Sequence, residues 1–244
     1  FLLIGIAIHC GYWRHGSRSD LWLALFLYAV VVLSLSRAAM GMGLGVFILA
    51  QLRLNSFSGW FRMLAILSVA VGLAAFMLMN FEPLRQRFFT GDLSAAVGGV
   101  KINTMGRILA WTTVINSALE SPIVGKGPAS SSEALVVLHA GIEQPHNDYL
   151  RIWHDYGLIG IMLWFSAFGS MMLACRRQYA LFRKWGARET SLGASTLLAQ
   201  ITLLALMLTD NVLIYFYNMV PIFILSGLVL GSIPHAPLLR RSAS

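Results

Sequence analysis

Seven apolar runs, at about residues 1–13, 20–36, 39–52, 61–81, 157–175, 192–209 and 212–233, are separated by polar breaks. Between the fourth and fifth lies a longer mixed segment, 82–150. A membrane-spanning helix needs roughly 20 apolar residues. Most of the runs approach that length, and the short one at 39–52 borrows Ala38 and its neighbours. The pattern predicts an all-α fold: a polytopic transmembrane helix bundle with a long, partly helical outer loop. Its expected division is transmembrane helices in 1–81, the first one truncated, the outer loop in 82–150, and transmembrane helices with a cytoplasmic tail in 151–244. The opening FLLIGIAIHCGYW has neither an initiating Met nor a charged leader and no small-residue cleavage site after it. It reads as a span entered part-way and not as a signal peptide.

Segment 82–150 is itself patterned. Asn103 and Thr104 are placed to cap a helix in which Ile108, Trp111, Ile115 and Leu119 share one face, suited to lying on a membrane or packing against the spans. SPIVGKGP breaks that helix, and Ser130 with Glu133 makes a capping box for a second one. Pro145 ends the second element and opens QPHNDYLRIWHDYGLIG, where the polar segment meets the next apolar run. A helix starting just after Pro145 puts His146, Leu150, Trp153, Gly157 and Gly160 on one face, with the glycines allowing close approach of a neighbouring helix.

Composition sharpens the membrane reading. The 244 residues are 57% hydrophobic and only 11% charged, with a mean hydropathy of +0.72. The net charge of +8 would suit nucleic acid if it were clustered, but it alternates with the spans. Placing the more basic connections on one side collects Arg14, Arg18, Arg53, Arg62, Arg176, Arg177, Arg183, Lys184, Arg188, Arg240 and Arg241 there, 11 of the 18 basic residues. Only Asp20 and Glu189 of the ten acidic residues accompany them. By the positive-inside rule that side is cytoplasmic and segment 82–150 lies outside. The basic charge is then a topology signal, and a nucleic-acid partner is excluded. Cys10 and Cys175 both sit within apolar runs and read as small buried hydrophobes, neither disulfide nor metal ligands.

Three outer-side residues carry candidate chemistry: Arg37, Arg107 and His146. Arg37 interrupts two apolar runs, where an Arg costs about 2.5–3.5 kcal/mol on insertion scales, so it faces a cavity or an anion unless it merely snorkels. Arg107 lies in the first turn of its expected helix and reads equally as a solvated residue. His146 stands at the water–membrane boundary, and Arg151, Tyr149 and Asp148 fall within about a turn of it, each as compatible with a structural role as with substrate positioning. His139 and His154 read as satisfied polar residues. Lys126 in VGKGPASSS lacks the GxxxxGK[ST] spacing of a phosphate loop, and His146 with His154 offers no third zinc ligand.

Taken together, these stretches resemble the C-terminal part of the O-antigen ligase and O-antigen polymerase superfamily of bacterial envelope glycosyltransferases. The family's His, Asn/Ser/Gln, nine residues, Gly, two residues, Gly is met by His146, Asn147, Gly157 and Gly160. Ser36-Arg37 resembles its Ser-Arg at the outer mouth of a span, and Gly106-Arg107 with Trp111 its loop helix. Pro122-Ile123-Val124-Gly125-Lys126-Gly127 resembles its Pro-x-x-Gly-x-Gly turn. Members have around a dozen spans, so the resemblance implies further spans ahead of this sequence.

The resemblance implies transfer of a glycan from an undecaprenyl-diphosphate carrier to an acceptor hydroxyl on the periplasmic face of the inner membrane. The acceptor is a lipid A core for a ligase, another repeat unit for a polymerase, or a protein serine for a related oligosaccharyltransferase; the ligase is the first expectation. A diphosphate leaving group calls for bidentate guanidinium groups, the role expected of Arg37 and Arg107. A sugar hydroxyl calls for a base, the role expected of His146, giving inversion. Arg151, Tyr149 and Asn147 join the arginines as the expected substrate-binding set. No Asp-x-Asp occurs, so neither metal nor cofactor is expected. A transporter or flippase for the lipid-linked glycan is the competing class, and a non-catalytic membrane scaffold a third; sparse polar residues within the spans weigh against the transporter.

Overall fold

A computed structural model gives the fold, and it describes residues 2–15, 17–34, 36–51, 64, 68, 72, 76, 79–89, 94–97, 100–103, 106–136, 143–184 and 186–232. The helices are α1 (Leu2–Arg14), α2 (Arg18–Leu33), α3 (Arg37–Gln51), α4 (Glu82–Phe89), α5 (Arg107–Ala118), α6 (Ser130–Val136), α7 (Asp148–Phe182), α8 (Ala187–Leu206) and α9 (Phe216–Gly231). Six of the seven apolar runs thus coincide with helices. Most of the seventh, 61–81, lies outside the described residues, as do Arg53, Arg62, Thr104, His139, Arg240 and Arg241. Helix is not the whole account: β1 (Ser94–Val97) and β2 (Val100–Asn103) pair antiparallel inside the segment expected to be loop and helix.

Among the described residues, two helices are long and apolar enough to cross a membrane, Asp148–Phe182 and Arg188–Leu206; Arg37–Ala50 and Phe216–Gly231 are apolar but shorter. The core joins α1, α2, α3, α8 and α9 with α7 from Ile152 to Phe168, around Ile4, Ile6, Ala7, Leu203, Met207 and Ile222. Small and hydroxyl side chains let the backbones approach. A Cβ on Gly11 would collide with Ser195, whose hydroxyl donates to Ile8 O at 2.7 Å across the α1–α8 crossing. Thr196 and Thr202 return their hydroxyls to the α8 carbonyls of Leu192 and Leu198, and Gln200 Nε2 donates to Ser226 Oγ of α9 at 3.0 Å. Apolar surroundings give these donors no water, so the protein supplies their acceptors itself.

Contacts at the helix ends fix directions. The Arg14 guanidinium donates to Ala50 O, His15 meets the Tyr179 ring, and Gln178 reaches Ser232 O. The ends of α1, α3, α7 and α9 therefore lie together. Arg37, at the start of α3, shares the opposite end of the bundle with Asp148 and the α8–α9 turn.

Local structure departs from expectation where capping is concerned. Helix α5 begins at Arg107 behind a left-handed Gly106, and Asn103 belongs to β2, so the Asn103/Thr104 cap is not what starts it. Its buried face is Ala110, Val114 and Ala118, all 0% exposed, while Ile108, Ile115 and Leu119 face outward. The alanines win because a small-residue stripe lets α5 lie close against α7. Helix α6 does begin at Ser130, but no box with Glu133 forms, since the Ser130 hydroxyl donates to Gly127 O. Helix α7 begins at Asp148, with Asn147 as its cap, so His146 lies ahead of the helix and not on its face.

Candidate active site

His146 takes a left-handed conformation, φ 49°, which is sparsely used by non-glycine residues. Three neighbours hold it there. Trp111 Nε1 donates to the carbonyl of Pro145 at 2.7 Å. On the other side the Asn147 side chain accepts from Leu150 N at 3.1 Å, locking the first turn of α7. The imidazole itself meets the α8–α9 turn: Nδ1 lies 3.2 Å from Asn211 Nδ2 and 3.5 Å from Asp210 Oδ1.

That turn is brought to His146 by a buried carboxylate. Asp148, 0% exposed, donates its N–H to Met207 O and accepts from Leu213 N, both at 2.8 Å, and pairs with Arg151 at 3.1 Å. Asp148 thus ties the first turn of α7 to residues on both sides of Asp210. The His146 imidazole beside it holds the Asp210 carboxyl below the usual carboxylate range, against partial burial, which raises it. The Asn211 N–H and the charge of Arg107 also lower it. Arg107, the first residue of α5, is therefore electrostatically part of the same group.

The structure thus brings together His146 and Arg107, and adds Asp210 and Asn211, which sequence reasoning passed over. Their signal was an Asp-Asn pair in the polar break between the last two apolar runs. Arg37 opens α3 at the same end of the bundle. Tyr149 turns into the bundle, its hydroxyl on Leu204 O at 2.8 Å and its ring stacked on Phe165. Arg151 lines a cavity of about 840 Å³ that follows α7 from Gln144 and Arg151 past Ile152 and Ile159 to Leu163 and Trp164. From Arg151 to Trp164 the helical rise gives a length on the order of 20 Å.

Beneath this group, α7 and the turn after α5 interlock. Gly157 adopts φ 65°, ψ −165°, a conformation essentially restricted to glycine, and breaks the helical ladder. The freed N–H groups of Leu158 and Ile159 donate to Pro122 O at 2.9 Å and Ile123 O at 3.2 Å. In return Lys126 N and Gly127 N donate to His154 O and Asp155 O, both at 2.9 Å. A Cβ on Gly157 would collide with the Ile123 carbonyl, and one on Gly125 with the Asp155 backbone. Gly157 therefore admits a loop and not the neighbouring helix expected of it. At Gly160 the nearest atoms a Cβ would meet belong to its own helix, at Ile152 and Tyr156, and the residue lines the cavity.

The buried side chains at the interlock are matched to each other. His154 reaches Ser117 Oγ at 2.9 Å through Nε2 and Ser130 Oγ at 3.1 Å through Nδ1. Asp155 accepts from Ala129 N at 3.1 Å and Ser131 N at 2.9 Å, capping α6 from another helix. Lys126 pairs with Glu120 and donates to Ser117 Oγ at 3.0 Å.

A family model described as O-antigen ligase matches residues 22–165, well over half of the chain. The match covers Arg37, Arg107, the interlocked turn, His146 and the start of α7. No curated protein matches the chain.

Proposed function

The chain belongs to the O-antigen ligase family, membrane-integral enzymes of surface-polysaccharide assembly, and we propose that it transfers a glycan from undecaprenyl diphosphate to an acceptor hydroxyl, with His146 as the base. The observation that carries this is the His146–Asp210 contact, with Arg107 close enough to act on the same carboxylate. Both described partners of the imidazole are on Nδ1, which leaves Nε2 for substrate. When Nδ1 carries the proton it points at Asp210, and Nε2 then offers a lone pair. With the Asn211 amide turned so that its otherwise unpartnered Oδ1 faces Nδ1, Asp210 and Asn211 together accept that proton and hold the basic tautomer.

The step follows from that arrangement. Nε2 removes the proton of the acceptor hydroxyl as its oxygen attacks the anomeric carbon from the face opposite the leaving group. The bond from that carbon to the carrier diphosphate breaks, and the electron pair leaves with the diphosphate. One displacement inverts the anomeric centre. The departing charge falls to Arg107 and Arg37, whose guanidinium groups stabilise it without a metal. The cavity along α7, with Arg151 near its polar end and apolar walls below, suits the carrier's polyprenyl chain. The working orientation is multi-pass in the inner membrane with this end toward the periplasm. The acceptor is a lipid A core, with another repeat unit or a protein serine as the alternatives within the same chemistry.

The test is transfer from lipid-linked glycan to acceptor by the full-length protein in liposomes. His146→Ala is expected to lower turnover by about 10²–10⁴-fold with the protein still inserted and folded. Arg107→Ala and Arg37→Ala are expected to abolish detectable product. Wild-type transfer by all three would overturn the reading, and movement of glycan across the bilayer without covalent product would make the protein a transporter.

A further inference from the structure

We propose that Trp111 is a positioning residue that locks the backbone of His146 and joins it to Arg107; this rests on the reading of His146 as the base. Arg107 and Trp111 are four residues apart on α5, one turn along the same face. Arg107 is near enough for its charge to act on the Asp210 carboxylate, while the Trp111 indole N–H is committed to the carbonyl of Pro145 at 2.7 Å. That carbonyl belongs to the peptide unit immediately ahead of His146, so its orientation sets where the His146 Cβ points.

The arrangement is demanding for the chain. Left to itself, His146 would leave φ 49° for an ordinary negative value, and that rotation would carry the imidazole away from Asp210. Asn211 and Asp210 hold the ring and Asn147 holds the residue after it, but Trp111 alone among the described contacts holds the residue before it. The indole is placed firmly enough to do this. It packs on a small apolar cluster of Ala110, Val114 and Leu135, against which Leu150 of α7 also packs. Helix α5 is therefore fixed to the first turn of α7 by apolar contact and to the residue before His146 by a hydrogen bond. The donor-binding arginine and the base are parts of one rigid unit, and a donor that draws on Arg107 meets an imidazole already aimed.

Trp111→Phe keeps the ring and removes the donor. In the full-length protein it is expected to lower kcat about ten-fold while KM for the lipid-linked donor stays within two-fold. In a His146→Ala background the same change is expected to leave the residual rate unaltered, because its effect runs through His146. A fall in KM-limited binding only, or an equal loss in both backgrounds, would overturn the proposal. A second readout needs no turnover: carbethoxylation of His146 by diethyl pyrocarbonate, followed by mass spectrometry. Its rate is expected to rise several-fold in Trp111→Phe, with His154, 1% exposed, unchanged as the internal control. A raised rate in a protein that transfers nothing would sustain the positioning role and sink the catalytic reading; an unchanged rate with normal transfer would do the reverse.

Discussion

Two histidines eight residues apart in QPHNDYLRIWHDYGLIG meet opposite environments. The His154 side chain is 1% exposed, and both ring nitrogens are matched by hydroxyls of Ser117 and Ser130. The His146 side chain is 45% exposed, sits on strained backbone, and has both described contacts on one nitrogen. At His154 the polar groups of α7 are answered by α5, the turn after it and the start of α6, so that region is frame. At His146 one nitrogen is left over, and what completes it comes from outside the protein. A reactive group can stay open because the neighbouring region is closed.

Breaking the closed region should cost more than trimming the open one. Gly157→Ala forces a Cβ against the Ile123 carbonyl at a glycine-only conformation. It is expected to destabilise by about 3 kcal/mol or more, lowering the thermal midpoint in detergent by about 6–12 °C. Asp155→Ala strips the N-terminus of α6 of its acceptor while its N–H groups stay enclosed. About 2 kcal/mol is expected, read as a midpoint some 4–8 °C lower. In the open region, Asp210→Asn should lower the midpoint at neutral pH by only about 1–3 °C and lower turnover about ten-fold, equivalent to about 1.4 kcal/mol of transition-state stabilisation. If Asp210→Asn were the variant that unfolded, the division into frame and site would fail.

The smallest expected effect is on pH dependence. The folded Asp210 carboxyl titrates below its ordinary range, so its contribution to stability is present above that range and is lost as pH falls through the lowered value. The thermal midpoints of wild type and Asp210→Asn are thus expected to converge below about pH 4. A difference growing toward acid would contradict the sign.

The helices were legible because each apolar run says locally that it must be buried or face lipid, and that information survives without knowing the partner. Their boundaries were not, because the caps come from far away. Asp155 caps α6 from 24 or more residues along the chain, and the carbonyls of Pro122 and Ile123 serve α7 across its kink. The α5 pattern left two alternatives open, and packing separates them: Ala110, Val114 and Ala118 permit the close approach to the protein, while Ile108, Ile115 and Leu119 face outward, as a helix lying on a membrane requires. Within the site, His146 and Arg107 were visible through motif spacing. Asp210, which acts 64 residues from His146, became visible only when Asp148 was seen to pin the α8–α9 turn to α7.

The interlock at Gly157 also constrains how such a sequence can drift. What Ile123 gives to α7 is backbone oxygen, and its side chain is exposed. That position can change identity while the junction persists. Gly125 and Gly157 have no such latitude, since each is held at positive φ with another backbone pressed against it. A lineage built on this junction would carry two fixed glycines more than 30 residues apart, and a loss at one could not be repaired by a change at the other.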